Sequence, residues 1–168
     1  SGCPSLKSVN IPSNVTSIGE YAFENCISLA NITIPSSVTS IGEGAFFNCY
    51  ALTSLDIPSS VTSIGDLAFH RCTSLETVIF PESATLGTQS FPSDTAQILY
   101  TKDASTGDVT VTKVEVGSET SIEIPETIDG GTVKIIGANA FDGCSSLTSI
   151  TLPQSLTSIE DLAFDQCT

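Results

Sequence analysis

Six cysteines, one histidine and nineteen carboxylate side chains are the groups in this 168-residue chain with the most chemical potential. The cysteines are Cys3, Cys26, Cys49, Cys72, Cys144 and Cys167. None forms a Cys-x-x-Cys pair, the commonest zinc spacing. The single histidine, His70, stands two residues before Cys72. No metal set is expected from these spacings. An even cysteine count in a secreted chain points to disulfides. All six nevertheless hold one position in a recurring unit. Stacked copies would set their Cα atoms roughly 4.7–4.9 Å apart. That separation suits a disulfide, but parallel side chains approach poorly for its dihedral. A ladder of buried free thiols is the expectation, since cysteine packs as a small hydrophobe.

His70, beside Arg71, reads as a solvated loop residue. Serine is abundant, yet no Gly-x-Ser-x-Gly elbow or other nucleophile motif occurs. The acidic residues Glu20, Glu43, Asp66 and Asp161 recur as a column. Glycosidase carboxylates instead flank a cleft, and calcium prefers oxygens converging from one loop. The column therefore reads as a solvated edge. No catalytic, cofactor-binding or metal-binding residue is expected, and the chain is not expected to be an enzyme.

The elements that position these residues come from an overt repeat. Leu6 to Pro12 recurs as Leu29 to Pro35, Leu52 to Pro58 and Leu75 to Pro81, at 23-residue spacing. Behind each proline, Val15-Thr16-Ser17-Ile18-Gly19 recurs as Val38 to Gly42 and Val61 to Gly65. Ala22-Phe23 recurs as Ala45-Phe46, Ala68-Phe69, Ala140-Phe141 and Ala163-Phe164. The Leu-x-x-Ile-x-Ile segment alternates like a strand. The Val-x-x-Ile segment is a second short extended piece, after which glycine permits a turn. The following acidic residue is expected to open a short helical turn carrying Ala-Phe. One unit buries about eight apolar side chains at roughly 1.5–3 kcal/mol each. That does not offset roughly 1–2 kcal/mol per ordered residue, so units must stack. The fold class is an α/β repeat solenoid of 23-residue coils, its strands in one parallel sheet.

The regular repeats cover 1–91 and resume over 122–168. Between them, 92–121 is irregular. Ala96 to Tyr100 reads as a strand, Lys102 to Asp108 as a polar turn, and Val109 onward as a second strand with a bulge near Lys113. This hairpin-like island either stacks as an atypical coil or projects from the solenoid. The columns resume with the same consensus, so one continuous solenoid is expected.

The formal net charge is −14. Phosphate binding needs lysine and arginine in excess, so nucleic acid is excluded as a partner. No run approaches the roughly 18 apolar residues of a membrane span. The chain contains no methionine and both ends fall inside a repeat. It reads as a section of a longer protein whose apolar end coils pair with further repeats or with another copy.

The 23-residue unit with Ile-Gly-x-x-Ala-Phe-x-x-Cys resembles the BspA-like, or Treponema pallidum-type, leucine-rich repeats. The resemblance runs from Cys3 to Phe91 and from Ile122 to Cys167. It implies a right-handed leucine-rich-repeat solenoid and a secreted or cell-surface location. It also implies a non-enzymatic module that adheres to host matrix or neighbouring-cell proteins; the alternative is a spacer displaying another domain. In such repeats the outer face of the strands is concave and carries the partner site. Here that face is one column of Ser8, Asn31, Ser54, Thr77 and Ser149 and another of Asn10, Thr33, Asp56, Ile79 and Thr151. It is small and polar, without the aromatic residues that dominate tight interfaces, which fits weak multivalent adhesion or a spacer. Tyr21, Tyr50 and Tyr100 are further candidate anchors.

Overall fold

The structure, a computed structural model, describes residues 2–167. In chain order the strands are β1 (Ser8–Asn10), β2 (Ser17–Ile18), β3 (Asn31–Thr33), β4 (Ser40–Ile41), β5 (Ser54–Asp56), β6 (Ser63–Ile64), β7 (Thr77–Pro81), β8 (Thr85–Leu86), β9 (Ala96–Lys102), β10 (Val109–Glu115), β11 (Ser121–Glu123), β12 (Thr127–Ile128), β13 (Gly131–Ile136), β14 (Ser149–Thr151) and β15 (Ser158–Ile159). They wind as a parallel solenoid of about seven coils. The Val-x-x-Ile pieces form their own parallel ladder, β2-β4-β6-β8.

No helix occurs among the described residues, which corrects the α/β expectation. The Ala-Phe segment is instead a pair of turns fastened to the next coil. Alternate N–H groups leave the coil: those of Tyr21, Phe23 and Asn25 donate to the carbonyls of Glu43, Ala45 and Phe47. The intervening N–H groups of Ala22, Glu24 and Cys26 donate three residues back, to Gly19, Tyr21 and Phe23. A helix cannot form because two residues per unit are left-handed. The first position holds Tyr21, Gly44, Leu67, Asn139 and Leu162; the second holds Asn25, Asn48, Arg71, Gly143 and Gln166. A non-glycine residue there costs roughly 1–2 kcal/mol. The ladder bonds between coils offset that cost. The acidic column thus stands at turns rather than helix starts.

The glycine after each Val-x-x-Ile also has a different role from the one expected. It is not left-handed in Gly42 or Gly65. A Cβ on Gly65 would lie 2.6 Å from the Glu43 nitrogen and 2.7 Å from the Gly42 carbonyl carbon. The residue is small because adjacent coils touch there, backbone to backbone.

The expected single parallel sheet is divided. β1 pairs with β3, β11 with β14, and a longer sheet runs β12-β13-β10-β9-β7-β5. The island supplies its middle. β9 pairs parallel with β7, turns over a tight loop, and pairs antiparallel with β10, which then runs parallel to β13. The hairpin is therefore stacked in the sheet and does not project. Its bulge falls at Thr112, between Val111 and Lys113.

This hairpin joins unlike rows of the repeat. β7 is a Leu-x-x-Ile-x-Ile strand, whereas β13 and its partner β15 are Val-x-x-Ile-type pieces. The coil path is continuous, but the interior is not. The first core contains Leu29, Leu52, Phe46, Phe69, Val78, Phe80 and Phe91, with Leu99 packed against it. The second contains Ile79, Ile98, Tyr100, Val109, Val111, Ile128, Val133 and Phe141. Because side chains alternate along a strand, Val78 and Phe80 face one way and Ile79 the other. The two coil stacks bury their apolar sides on opposite faces of one shared sheet. The sequence predicts one continuous solenoid; its buried interior is two clusters. Stacked phenylalanines run 5.2, 5.0 and 5.4 Å apart through Phe23, Phe46, Phe69 and Phe91. The column stops there and restarts as Phe141 and Phe164, 4.8 Å apart. Such pairs add roughly 0.5–1.5 kcal/mol each beyond burial.

Candidate functional site

The outer strand face is where the chain offers side chains in rows. Ser8, Asn10, Asn31, Thr33, Ser54 and Asp56 are exposed on β1, β3 and β5. Thr77 is half-buried, and Ile79 is only 6% exposed because it belongs to the second core. The face ends at β7. Ser149 and Thr151 are exposed but lie on β14, paired with Ser121 and Glu123 of β11 in a separate sheet. The ten residues that the repeat aligns are therefore not one surface: six form a continuous patch, two mark its covered edge, and two belong to another strip.

The covered edge has a groove that residue spacing did not reveal. The second stack's turn at Thr127, Asp129 and Gly130 faces Thr33, Asp56 and Pro58 of the first stack across a cleft of about 280 Å³. An adjoining hollow of about 230 Å³ is lined by Asn31, Thr33, Ser54 and Asp56. Asp56 is common to both. The cleft wall is fixed by three side chains. Asp129 Oδ2 accepts from the Ser59 N–H at 3.2 Å and its hydroxyl at 2.6 Å. Lys102 Nζ donates to the Asp129 carbonyl at 2.5 Å and its carboxylate at 3.3 Å. The Tyr100 hydroxyl donates to the Ile57 carbonyl at 2.9 Å.

Asp56 has no hydrogen-bond or ion-pair partner among the described residues. Although its surface is exposed, partial desolvation holds its carboxyl above the ordinary carboxylate value. Tyr100, expected as a surface anchor, is fully buried instead. Burial, then the charges of Asp129 and Asp56, push its phenol up. Tyr21 and Tyr50 are exposed, and the Tyr21 hydroxyl donates to Glu43.

The other singled-out residues hold the stack. All six cysteines are free thiols; Cys26, Cys49, Cys72 and Cys144 are buried, Cys167 is half-buried and Cys3 is exposed. Cys49 and Cys72 donate to the Phe23 and Phe46 carbonyls of the preceding coil at 3.3 and 3.2 Å. Contact with the Cys49 sulfur, then burial, pushes the Cys72 thiol well up; burial raises Cys26 and Cys144. These thiols stay protonated at neutral pH and are poor nucleophiles. Serine and threonine hydroxyls serve the same ladder. Ser37, Ser60 and Ser155 donate to the Val15, Val38 and Val133 carbonyls at 2.6, 2.7 and 2.8 Å. His70 is half-buried and stacked 5.6 Å from Phe47, rather than solvated. The Arg71 guanidinium lies 6.0 Å from the same ring. In the acidic column, Asp66 accepts from the Thr88 N–H at 2.6 Å. No group of three or more His, Cys, Asp or Glu able to hold a metal occurs among the described residues. No helix of the structure is long and apolar enough to cross a membrane.

Asp129, Thr127 and Phe47 were not singled out by the repeat. Asp129-Gly130-Gly131 is legible as a turn, but its partner Ser59 lies seventy residues away. Phe47 was visible as an extra aromatic where the repeat elsewhere has a polar residue.

A family model for the BspA type leucine-rich repeat region matches six copies over residues 1–106 and 115–168. The chain is similar to a leucine-rich cell-surface protein of Faecalibacterium prausnitzii, with 31% identity and a TM-score of 0.50 over 94% of this chain and 52% of that one. It is also similar to a leucine-rich repeat protein of Bacteroides ovatus, with 32% identity and a TM-score of 0.50 over 95% of this chain and 37% of that one. A leucine-rich repeat protein of T. pallidum is 26% identical, with a TM-score of 0.48 over 91% and 72% of the two chains. No curated protein matches. The chain thus spans about half, or less, of the first two solved relatives. Since the repeat model covers both coil stacks, the chain belongs to the BspA-type leucine-rich-repeat family.

Proposed function

We propose that this chain is the protein-binding part of an extracellular or cell-surface adhesion protein, and that its partner is a host matrix or neighbouring-cell protein. The observation that carries this reading is the patch of Ser8, Asn10, Asn31, Thr33, Ser54 and Asp56. It is exposed and polar, and it presents hydrogen-bonding side chains in rows that the fold itself leaves free. The family is a binding scaffold, and one solved relative is a cell-surface protein. Elsewhere the hydroxyls of Ser37, Ser60, Ser155, Thr39, Thr62 and Thr85 are occupied by bonds to the preceding coil, whereas those of the patch are left for recognition.

Binding of the whole chain to immobilised extracellular-matrix proteins tests this. Saturable binding that survives about 0.5 M salt, where charge screening is nearly complete beyond roughly 4 Å, is expected from at least one of them. Loss of it on replacing Asn31 and Thr33 by alanine would assign it to the patch. No saturable binding to any matrix protein or cell surface would contradict adhesion. A spacer would then be the better reading, favoured by the absence of exposed aromatic residues on this face.

A further inference from the structure

The groove between the two stacks has a feature the rest of the outer face lacks. Asp56 is the only charged residue in the two outward columns of β1, β3, β5 and β7. It stands where the first stack's face meets the wall made by Thr127, Asp129 and Gly130. The Lys102 ammonium behind that wall is already held by Asp129 through both its carbonyl and its carboxylate. Asp129 is in turn satisfied by Ser59. The charges of the wall are therefore paired, and Asp56 has no counter-ion among the described residues at the junction of two hollows. Around it stand the Asn31 amide and the Thr33 and Ser54 hydroxyls, which accept hydrogen bonds from an N–H-rich group.

We propose that this groove receives an arginine or lysine side chain of a protein partner, with Asp56 as the counter-ion. The proposal rests on reading the outer face as a protein-binding surface, and it names the chemistry that surface selects. Arginine suits it better than lysine. A guanidinium is planar and pairs with a carboxylate through two parallel bonds, leaving further N–H groups for the flanking hydroxyls. An ammonium supplies charge without that fork. The net charge of −14 favours approach of a basic segment from a distance, and the groove fixes where its side chain seats. The flanking amide and hydroxyls add hydrogen-bond partners that an isolated surface carboxylate lacks.

The test uses the whole ¹⁵N-labelled chain and two probes of one shape, N-acetyl-arginine amide and N-acetyl-citrulline amide. The arginine probe should produce saturable amide shifts clustered at Thr33, Ser54, Asp56 and Gly130. The citrulline probe, lacking the charge, should not. Asp56→Asn should bind the arginine probe about tenfold more weakly, the loss of roughly 1.4 kcal/mol. Asp66→Asn, on the distant turn column, should bind as the parent chain does. An unchanged spectrum confirms that Asp56→Asn folds, and its unaltered affinity would overturn the proposal. So would equal binding of citrulline, or shifts spread evenly over Glu20, Glu43 and Asp66. Retained matrix-protein binding by a chain that ignores the arginine probe would refute the groove and leave the adhesion reading standing. Seated arginine with no matrix-protein binding would do the reverse.

Discussion

A single methyl group decides whether two coils fit at Gly65. Its Cβ would meet the Gly42–Glu43 backbone at 2.6–2.7 Å, while a Cβ on Gly19 meets nothing within 4 Å. Gly65→Ala should destabilise the chain by about 1–3 kcal/mol, as overpacking does. Gly19→Ala should stay within about 0.5 kcal/mol. Urea denaturation of the two variants checks the pair. The glycine column was plain in the sequence, but its cause was not, because spacing reports recurrence and not which backbone lies beneath. The left-handed positions were half legible. Asn25, Asn48, Asn139, Gly44 and Gly143 are residues that tolerate that conformation, whereas Tyr21, Leu67 and Arg71 give no sign of it. A second residue-scale prediction concerns Asp103. The Ser105 hydroxyl, then the Thr106 and Ser105 N–H groups, hold its carboxyl down to about 2. A depressed carboxyl favours folding above its unfolded value of 3.8 and loses that contribution as the pH falls through about 2. A ¹³C carboxyl titration should find the midpoint near 2, and Ser105→Ala should raise it.

At the scale of elements, the hairpin of β9 and β10 decides the architecture. Its existence was legible: Ala96 to Tyr100 alternates, Gly107 marks the turn, and Val109 to Val111 alternates again. Which side it buries is less legible, although one sign is present. Ile79 is apolar in a column that is otherwise Asn10, Thr33, Asp56 and Thr151, and an apolar residue in a polar row signals a cover. The helix expectation failed for a related reason. Phe and Cys three residues apart, as in Phe23 and Cys26, also suit a turn pair whose free N–H groups reach the next coil, and a single unit does not show that coil. Tyr100 links the hairpin to the first stack through the Ile57 carbonyl. Tyr100→Phe should cost about 1 kcal/mol, the worth of one buried hydrogen bond. It should also speed hydrogen exchange at Ile57 and Asp129 more than at Phe23. Uniform protection across these sites would mean that the contact does not join the stacks.

For the whole molecule, the stack leaves apolar surface at its two end coils. Ile159 and Leu162 are 51% and 65% exposed, and Leu6, Val9 and Phe23 are only half-buried. β1 pairs only with β3, β14 only with β11 and β15 only with β13, so a second copy stacked end to end would extend the ladder. Light scattering is expected to show mass rising with concentration, and a strict monomer at high concentration would contradict end-to-end pairing. The outer face, the groove and the partner chemistry proposed for Asp56 all depend on one claim: the second stack turns its core to the opposite side of the shared sheet. Methyl relaxation by a soluble gadolinium chelate reads this directly on β7. The two-core arrangement predicts that Val78 and Ile79, adjacent but pointing oppositely, are both shielded, at 0% and 6% exposure. An Ile79 methyl relaxed as strongly as that of Thr33, beside a shielded Val78, would show one continuous core with an open face and would contradict the account.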